Sequence, residues 1–384
     1  MKQRLAILGS TGSIGMQTLD VCRRFPDRFE VEVLTAGKQA AELVKQALEF
    51  NPNMVVIGDE SQYDFVSDAL KSSDIKVFCG SKSIADAATV DSVDTVVLAL
   101  VGIAGLEPAY AALKAGKKLA LANKEVLVVA GELISKTAIE NRAAIIPIDS
   151  EHSAIMQCLQ GESSTAIEKI ILTASGGPFR GFSKDQLQNV TLKQALAHPV
   201  WSMGNKITID SATMMNKGFE VIEARWLFNV PAEKIDVIIH PQSIIHSMVQ
   251  FVDGSVKAQM SRPDMRLPIM YALTWPERIA APFQTGGIND IFSLTFEKAD
   301  TETFRHLSLA YEAIKNGGGA PCVLNASNEV AVELFLNDKI SFTGMQKMSE
   351  TAMSHISAGV PGSIADYLAL DNETRAYCQT LNIK

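Results

Sequence analysis

Short apolar runs alternate with helix-like stretches along the first 150 residues. The runs cover residues 4–8, 30–35, 53–57, 75–78, 95–98, 118–120 and 144–148. Apolar segments of strand length, separated by amphipathic segments, are typical of parallel strands that are joined and covered by helices. The pattern therefore predicts an α/β fold that begins with a Rossmann-like, mostly parallel sheet.

The pattern changes after residue 150. It predicts helices at 152–159 and 220–228, strands at 169–173, 237–240 and 247–252, and later helices at 302–315, 327–337, 342–356 and 363–381. Between them, residues 275–299 contain Pro276, Pro282, Gly286 and Gly287 and are predicted to form a surface connector. We therefore predict a dinucleotide-binding domain at 1–149, a central α+β catalytic domain at 150–274, a linker at 275–299 and a small helical domain at 300–384.

Composition and charge exclude several classes of function. The formal net charge of −8 and the absence of a Lys/Arg run argue against a nucleic acid partner. No segment reaches about 18 consecutive apolar residues, so no membrane span is predicted. The five cysteines show no C-x-x-C spacing and are interpreted as free thiols. With an apolar strand directly at the N-terminus, we expect no targeting peptide and a cytoplasmic location.

A glycine-rich segment follows the first predicted strand. Gly9-Ser10-Thr11-Gly12-Ser13-Ile14-Gly15 leads into a helix-like stretch. A glycine turn between a strand and a helix N-terminus lets backbone N–H groups and the helix dipole meet a pyrophosphate. The G-x-x-G-x-x-G spacing departs from the usual G-x-G-x-x-G, and the alternative is a turn that merely packs the helix. Its position after strand 1 favours a dinucleotide site.

The tip of the second strand bears on the choice of dinucleotide. NAD-specific folds place a carboxylate there, whereas this strand runs into Ala36-Gly37-Lys38-Gln39. Because Lys38 can pair with a 2′-phosphate, the segment favours NADP. The alternative is a solvated lysine at a helix start.

Two carboxylates follow the last strand of the predicted sheet. Asp149 and Glu151 are two residues apart at the carboxyl edge, where open α/β sheets bind ligands. Their oxygens suit a hard divalent cation. The structural alternative is that Ser150 caps the next helix and the acids favour its first turn. This segment alone leaves both interpretations open.

Polar donors are concentrated in residues 198–220. Ser211, Asn216 and Lys217 offer the hydroxyl, amide and positive charge that a phosphomonoester needs. Glu220 is predicted to open a helix and to supply a third oxygen ligand. Taken singly, Lys217 and Glu220 are also compatible with an ordinary solvated pair. Together with the preceding loop, they favour a phosphate and metal site.

Five motifs resemble the 1-deoxy-D-xylulose 5-phosphate reductoisomerase family. They are the Gly9–Gly15 loop, Leu121-Ala122-Asn123-Lys124-Glu125, Pro147-Ile148-Asp149-Ser150-Glu151-His152-Ser153, the 198–220 stretch, and His240-Pro241-Gln242-Ser243-Ile244-Ile245-His246-Ser247. The resemblance implies conversion of 1-deoxy-D-xylulose 5-phosphate to 2-C-methyl-D-erythritol 4-phosphate in the non-mevalonate isoprenoid pathway. It further implies NADPH, a divalent cation (Mg, Mn or Co) and a homodimer.

The resemblance also implies residue roles. Metal ligands and catalytic residues would be Asp149, Glu151 and Glu220, joined in catalysis by Lys124 near the reacting carbons. The substrate contacts would be Lys124, Ser150, Glu151, Ser175, His198, Ser211, Asn216, Lys217 and Glu220. His198, Trp201 and Met203 would lie on a closing loop within about 176–205. NADPH would contact Thr11, Gly12, Ser13, Ile14, Gly37, Lys38, Gln39, Asn123, Glu125 and Gly204. Gln39 departs from the family's frequent Asn, which puts that one side-chain contact in doubt.

Two other functions remain as alternatives from the residues. A semialdehyde-type NADP dehydrogenase needs a cysteine nucleophile, and Cys158 is the candidate near the site, although its apolar surroundings favour a core position. A redox-sensing regulator would bind NADP without chemistry, and the carboxylate cluster speaks against it. His152, His240 and His246 are interpreted as structural.

Overall fold

The computed structural model of the chain describes residues 2–201, 204–284, 287, 291 and 293–383. The strands in chain order are β1 Gln3–Leu8, β2 Phe29–Ala36, β3 Met54–Ile57, β4 Lys76–Cys79, β5 Thr95–Leu98, β6 Lys118–Leu121, β7 Ile145–Pro147, β8 Ile167–Ala174, β9 Ile235–Ile239, β10 Ile245–Phe251, β11 Val256–Met260 and β12 Glu297–Lys298. The helices are α1 Ser13–Arg24, α2 Ala40–Phe50, α3 Tyr63–Leu70, α4 Gly80–Ala87, α5 Leu106–Lys114, α6 Glu125–Glu140, α7 Ser150–Cys158, α8 Lys184–Leu187, α9 Leu192–Ala195, α10 Asn205–Ala212, α11 Met215–Leu227, α12 Arg266–Thr274, α13 Arg305–Asn316, α14 Ala320–Leu336, α15 Phe342–His355 and α16 Ile364–Thr380.

The chain packs into two compact units whose segments interleave. The first comprises Met1–Val126, Ile134–Ser153 and Asp264–Gln284, and the second Leu127–Leu133, Ala154–Pro263 and Thr285–Lys384. Residues 127–133 lie inside α6, whose backbone is non-helical at Ala130 (φ −134°, ψ 35°). The four predicted domains follow chain order instead, and their boundaries stay a prediction.

A seven-stranded parallel sheet forms the centre of the first unit. Its order is β4-β3-β2-β1-β5-β6-β7, and every neighbouring pair is parallel. The chain leaves β1 toward β2 on one side and later returns to β5 on the other, so the switch point of the sheet lies between β1 and β5. The sequence prediction of seven parallel strands is confirmed, with ends that differ by no more than two residues.

Ion pairs join the segment 264–284 to α1 and to the residue before β2. Arg266 contacts the Asp20 carboxylate at 3.0 Å, and Arg28 contacts Glu277 at 2.7 Å. The sequence analysis placed 264–274 in the central domain and 275–284 in the linker, and this division stays a prediction.

The second unit is built on a five-stranded mixed sheet with the order β11-β10-β8-β9-β12. Only the β8–β9 pair is parallel among these strands. Helix α11 packs against α13 and α14 through a buried core that includes Met215, Phe219, Ile222 and Leu324. Helices α15 and α16 pack on α14, as expected of a helical C-terminal part.

One helix start differs from the prediction. Helix α11 begins at Met215, not at Glu220, so Glu220 lies in its second turn. Met214 before it takes a left-handed conformation (φ 65°), which makes a sharp turn after α10. The sequence prediction missed both α10 and this turn because the segment is rich in polar residues that favour turns. Among the residues described, no helix has the length and apolar character to cross a bilayer.

Candidate active site

The glycine loop lies at the carboxyl end of β1, next to the switch point of the sheet. A Cβ on Gly15 would come within 2.3 Å of the Gly9 carbonyl oxygen, so the turn closes only with glycine there. Helix α1 begins at Ser13, and its N-cap residue, Gly12, supplies no side-chain hydrogen bond. The first N–H groups of α1 therefore lack a side-chain cap, which is the arrangement in which helices bind anions.

The other loop positions differ in exposure. Thr11 is buried, whereas Ser13 is exposed and Gly12 and Ile14 are partly exposed. At the tip of β2, Gly37, Lys38 and Gln39 are all exposed and precede α2. Gln39 is the N-cap residue of α2 and makes no side-chain cap hydrogen bond.

Asn123 is engaged with the backbone. Its side-chain amide donates to the carbonyls of Leu100 and Gly102 at 2.8 and 2.9 Å, and its Oδ1 accepts from the N–H of Val126. The side chain thus joins the ends of β5 and β6 and starts α6. Glu125, the first residue of α6, is buried.

Lys124 and Asp149 form a buried ion pair in the first unit. Lys124 Nζ lies 2.7 Å from Asp149 Oδ2, and their side chains are 7% and 12% exposed. His152 Nδ1 lies 3.5 Å from Asp149 Oδ1. Burial by itself raises the pKa of the Asp149 carboxyl, but Lys124 and His152 outweigh burial and hold that pKa well below its usual range. Asp149 is therefore ionised at neutral pH.

The segment after β7 does contain a helix cap, but the capping residue is not Ser150. Asp149 Oδ1 accepts the backbone N–H of Glu151 at 3.1 Å, so Asp149 caps α7. The hydroxyl of Ser150, which the alternative made the cap, donates to the Glu151 carboxylate. Asp149 Oδ1 therefore has a structural role as a helix cap. Asp149 and Glu151 nevertheless both lie at the carboxyl edge of the sheet, as predicted.

His152 was expected to be structural, and its position adds a contact that the sequence analysis missed. The imidazole is fully buried and directly beside Asp149. The signal was available, because residues three apart at the start of a helix face each other.

In the second unit, two predicted phosphate-binding serines lie on adjoining segments. Ser175 follows β8, and Ser211 is in the last turn of α10. A Cβ on Gly177 (φ +65°) would come within 2.7 Å of the Ser211 carbonyl oxygen. Only a glycine in a left-handed conformation lets the loop after β8 approach the end of α10 so closely.

His198 contacts Ser175 across this loop. Its Nε2 lies 3.1 Å from Ser175 Oγ, while its Nδ1 accepts the backbone N–H groups of Val200 and Trp201 at 3.2 and 2.9 Å. Because Nδ1 accepts, a neutral ring carries its proton on Nε2 and donates it to Ser175. Burial lowers the pKa of His198, which favours this neutral form.

Three more predicted residues share the first two turns of α11. Glu220 is 1% exposed, and it accepts a hydrogen bond from Asn216 Nδ2 at 2.6 Å. Lys217, 4% exposed, forms an ion pair with the Glu220 carboxylate. The predicted amide, lysine and carboxylate therefore form one hydrogen-bonded cluster, in which Lys217 and Glu220 are buried and Asn216 is partly exposed. This arrangement rules out the alternative of a solvated surface pair.

The first part of the predicted closing loop contains a buried aromatic side chain and two short helices. Phe179 is 1% exposed, and helices α8 and α9 both start with a capping box, at Ser183 and Thr191. Trp201 is partly buried, with its ring centroid 6.2 Å from that of His246. Gly204 is exposed and precedes α10. Met203 lies outside the described residues.

The fold and the glycine loop define the class to which this protein belongs. A parallel sheet with an uncapped glycine loop at its switch point is a dinucleotide-binding protein of the Rossmann type. Three family models match the chain. The model for 1-deoxy-D-xylulose 5-phosphate reductoisomerase matches residues 5–131, and the model for the C-terminal domain of that enzyme matches residues 145–228. A third model, for the DXP reductoisomerase C-terminal domain, matches residues 260–377. The chain belongs to the 1-deoxy-D-xylulose 5-phosphate reductoisomerase family.

Individual relatives agree with this assignment over the full length. The 1-deoxy-D-xylulose 5-phosphate reductoisomerase of Bacteroides fragilis is 51% identical over 383 residues, which is 100% of this chain and 99% of the relative. The enzyme of Zymomonas mobilis in complex with NADPH is 42% identical, with a TM-score of 0.93 over 99% of this chain and 100% of that one. A DOX-P reductoisomerase in complex with NADPH, fosmidomycin and magnesium is 40% identical, with a TM-score of 0.92 over 98% and 97% of the two chains.

The alternative of a cysteine-dependent dehydrogenase loses support. Cys158 is 5% exposed at the end of α7. A catalytic thiolate needs partial exposure and a positive neighbourhood, so this thiol has the character of a core residue.

Proposed function

We propose that the chain catalyses the isomerisation and reduction of 1-deoxy-D-xylulose 5-phosphate to 2-C-methyl-D-erythritol 4-phosphate, with NADPH and a divalent cation (Mg, Mn or Co), in isoprenoid precursor synthesis by the non-mevalonate route. The observation that carries this proposal is the full-length similarity to an enzyme whose structure holds NADPH, fosmidomycin and magnesium. The alternative of an NADP-binding regulator has no comparable support.

We assign NADPH to the glycine loop and the tip of β2. The uncapped N-terminus of α1 and the close Gly9–Gly15 turn favour a pyrophosphate. Lys38 is exposed at the tip of β2, where a cation attracts the 2′-phosphate of NADPH. The proposed contacts are Thr11, Gly12, Ser13, Ile14, Gly37, Lys38, Gln39, Asn123, Glu125 and Gly204, of which Asn123 would act through its backbone because its side chain is already hydrogen-bonded.

The proposed metal ligands are Asp149, Glu151 and Glu220. Carboxylate oxygens are the hard ligands that magnesium and manganese prefer. The ionised state of Asp149 supports this role, because a ligand must be deprotonated. Lys217 and Asn216 hold the Glu220 carboxylate in place.

We assign the substrate phosphate to Ser175, Ser211, Asn216 and Lys217. The close approach at Gly177 supports a common position for both serines. If neutral His198 donates to Ser175 Oγ, the serine hydroxyl proton can be donated to a phosphate oxygen. Such anchoring holds the far end of a small substrate in register while its carbon skeleton changes.

Near the reacting carbons, we place Ser150 and Lys124. Lys124 pairs with Asp149, and its ammonium group can stabilise negative charge that develops on a substrate oxygen. When bound, the cation supplies Lewis acidity to substrate oxygens and NADPH supplies the hydride. His198 and Trp201 lie on the segment that we propose closes over the substrate and excludes water.

We also propose that the enzyme works in the cytoplasm as a homodimer. The free state of all five cysteines supports a reducing compartment.

The deciding experiment is a turnover assay. The protein is mixed with 1-deoxy-D-xylulose 5-phosphate, NADPH and MgCl₂, and the loss of nicotinamide absorbance is followed while 2-C-methyl-D-erythritol 4-phosphate is identified by mass. We expect turnover that stops with a chelator and returns with excess Mg²⁺. Oxidation of NADPH without this product would contradict the proposal.

A further inference from the structure

A buried carboxylate stands directly before a proposed phosphate-binding serine. Asp210 is 2% exposed, and Ser211 follows it on α10. The Asp210 carboxylate is too deeply buried to be a general surface charge. An ionised group in this position requires donors, since an unpaired buried charge is strongly unfavourable.

Two donors hold the two oxygens of this carboxylate. Lys206 Nζ, one turn earlier on α10, lies 3.0 Å from Oδ2. Asn328 Nδ2, on α14, donates to Oδ1 at 2.7 Å. The first contact is local to the helix, whereas the second spans 118 residues of sequence and joins α10 to the C-terminal helices.

The same residue is also connected toward α11. The Asp210 carbonyl accepts a hydrogen bond from Thr213 Oγ1 at 3.2 Å, and Thr213 Oγ1 accepts the N–H of Met215 at 3.3 Å. Lys206 lies over the Phe219 ring, with Nζ 5.4 Å from its centroid. Hydrogen bonds thus lead from α14 through Asp210 to the first residue of the helix that carries Asn216 and Lys217.

Asn328 itself is fully buried. Burying an amide is unfavourable unless it forms hydrogen bonds, so an apolar residue would fill this position on α14 at lower cost. An amide at this buried position therefore points to a role for the contact with Asp210.

We propose that Asp210 and Asn328 are positioning residues for the substrate phosphate, because they fix α10 and the start of α11 relative to α14. This inference rests on the proposed function of Ser211, Asn216 and Lys217. Neither residue needs to touch the substrate. Their contact sets where the serine hydroxyl, the amide and the lysine stand before the phosphate arrives, which is preorganisation of a binding site.

Three variants and one matched control test the proposal. Asn328→Ala removes the donor, and Asp210→Asn removes the charge. The exchange Asp210→Asn with Asn328→Asp restores both contacts with the roles reversed, since the new amide can accept from Lys206 and donate to the new carboxylate. The control is Asn325→Ala, because Asn325 is equally buried on α14 but donates to Glu329 at 3.2 Å.

The measurements are KM for 1-deoxy-D-xylulose 5-phosphate, KM for NADPH, and thermal unfolding of each variant. We expect Asn328→Ala and Asp210→Asn to raise the substrate KM by about 10- to 100-fold, with the KM for NADPH within about twofold of wild type, because a displacement near 1 Å is sufficient for such losses. The double exchange should recover most of the loss. The control should leave both KM values unchanged even where its unfolding temperature falls.

Two results would overturn the inference. One is a substrate KM for Asn328→Ala within about twofold of wild type, and the other is a double exchange as impaired as Asp210→Asn alone. If wild-type protein itself shows no turnover of 1-deoxy-D-xylulose 5-phosphate, the proposed function fails instead, so the two failures are distinct.

Discussion

Two regions of this molecule are proposed to bind phosphate groups, and they do so by different physical means. The Gly9–Gly15 loop offers backbone N–H groups at the start of one helix, and a single local turn forms it. The cluster around Ser211 offers side chains from the loop after β8, from α10 and from α11. The comparison teaches that a backbone site is encoded by adjacent residues, whereas a side-chain site depends on packing across the unit.

The largest expected effect comes from a change in the cluster of Asn216, Lys217 and Glu220. Glu220→Gln should reduce kcat by on the order of 10²–10³-fold, since a neutral amide is a poor ligand for a hard cation and no longer pairs with Lys217. Steady-state kinetics with Mg²⁺ measures the loss.

NADPH binding, measured by quenching of protein fluorescence, should stay within about twofold of wild type, because the glycine loop is formed by other residues. Turnover near the wild-type rate would remove Glu220 from the metal site.

Acid should affect the two units over different pH ranges. Burial lowers the pKa of His306 on α13 to about 4. The folded state accommodates only the neutral ring. Above the unfolded-state pKa of about 6.5 the ring is neutral in both states, so the folded protein has its full stability. That stability is lost as pH falls from about 6.5 toward 4, because the ring is then protonated only in the unfolded state. At about 1.4 kcal/mol per pKa unit, the loss is about 3 kcal/mol.

Urea unfolding at several pH values checks this. His306→Gln should flatten the slope between pH 6.5 and 4, whereas exchange of the exposed His355 for Gln should not. In the first unit, the lowered pKa of Asp149 acts in the same direction but over a lower pH range: its contribution persists above about pH 3.9 and is lost only as pH falls further, through the lowered pKa. If the free energy of unfolding of His306→Gln depended on pH as that of the wild type does, His306 would not be the source of the acid sensitivity.

A methyl group added at Gly15 should weaken NADPH binding at the Gly9–Gly15 loop. Gly15→Ala places a Cβ within 2.3 Å of the Gly9 carbonyl oxygen and must open the turn. We expect NADPH to bind about 10- to 100-fold more weakly, with direct titration as the measurement.

Gly362→Ala is the control, because its added Cβ would meet no atom closer than 3.9 Å. If Gly15→Ala bound NADPH as wild type does, the loop would not be the cofactor site.

The smallest effect is expected at the tip of β2. Lys38→Asp should lower the ratio of kcat/KM for NADPH to that for NADH by about tenfold, since a carboxylate repels a 2′-phosphate. Lys45→Asp, also exposed on α2, makes the same charge change away from the tip and should leave the ratio unchanged. An unaltered preference in Lys38→Asp would exclude that lysine from cofactor selection.

Local sequence was sufficient for much of the fold. The parallel strands follow from apolar runs, whose side chains are mostly buried in every strand but the edge strand β4, and the glycine loop follows from its place after the first of them. Chain order could not assign residues 127–133 and 264–284 to a unit, because membership depends on which core their apolar faces join. Likewise, Met214 reverses the chain between α10 and α11, a turn that polar composition alone does not reveal.

For the candidate site, the sequence by itself determined which chemical groups are present: the glycine turn, the acids Asp149, Glu151 and Glu220, and the donors in 198–220. Only the tertiary structure decided their state. Asp149 is ionised because Lys124 and His152 lie against it, and Glu220 is held by Asn216 and Lys217. The physical reason is that charge state and orientation depend on burial and on neighbours distant in sequence, as the contact between Asp210 and Asn328 shows.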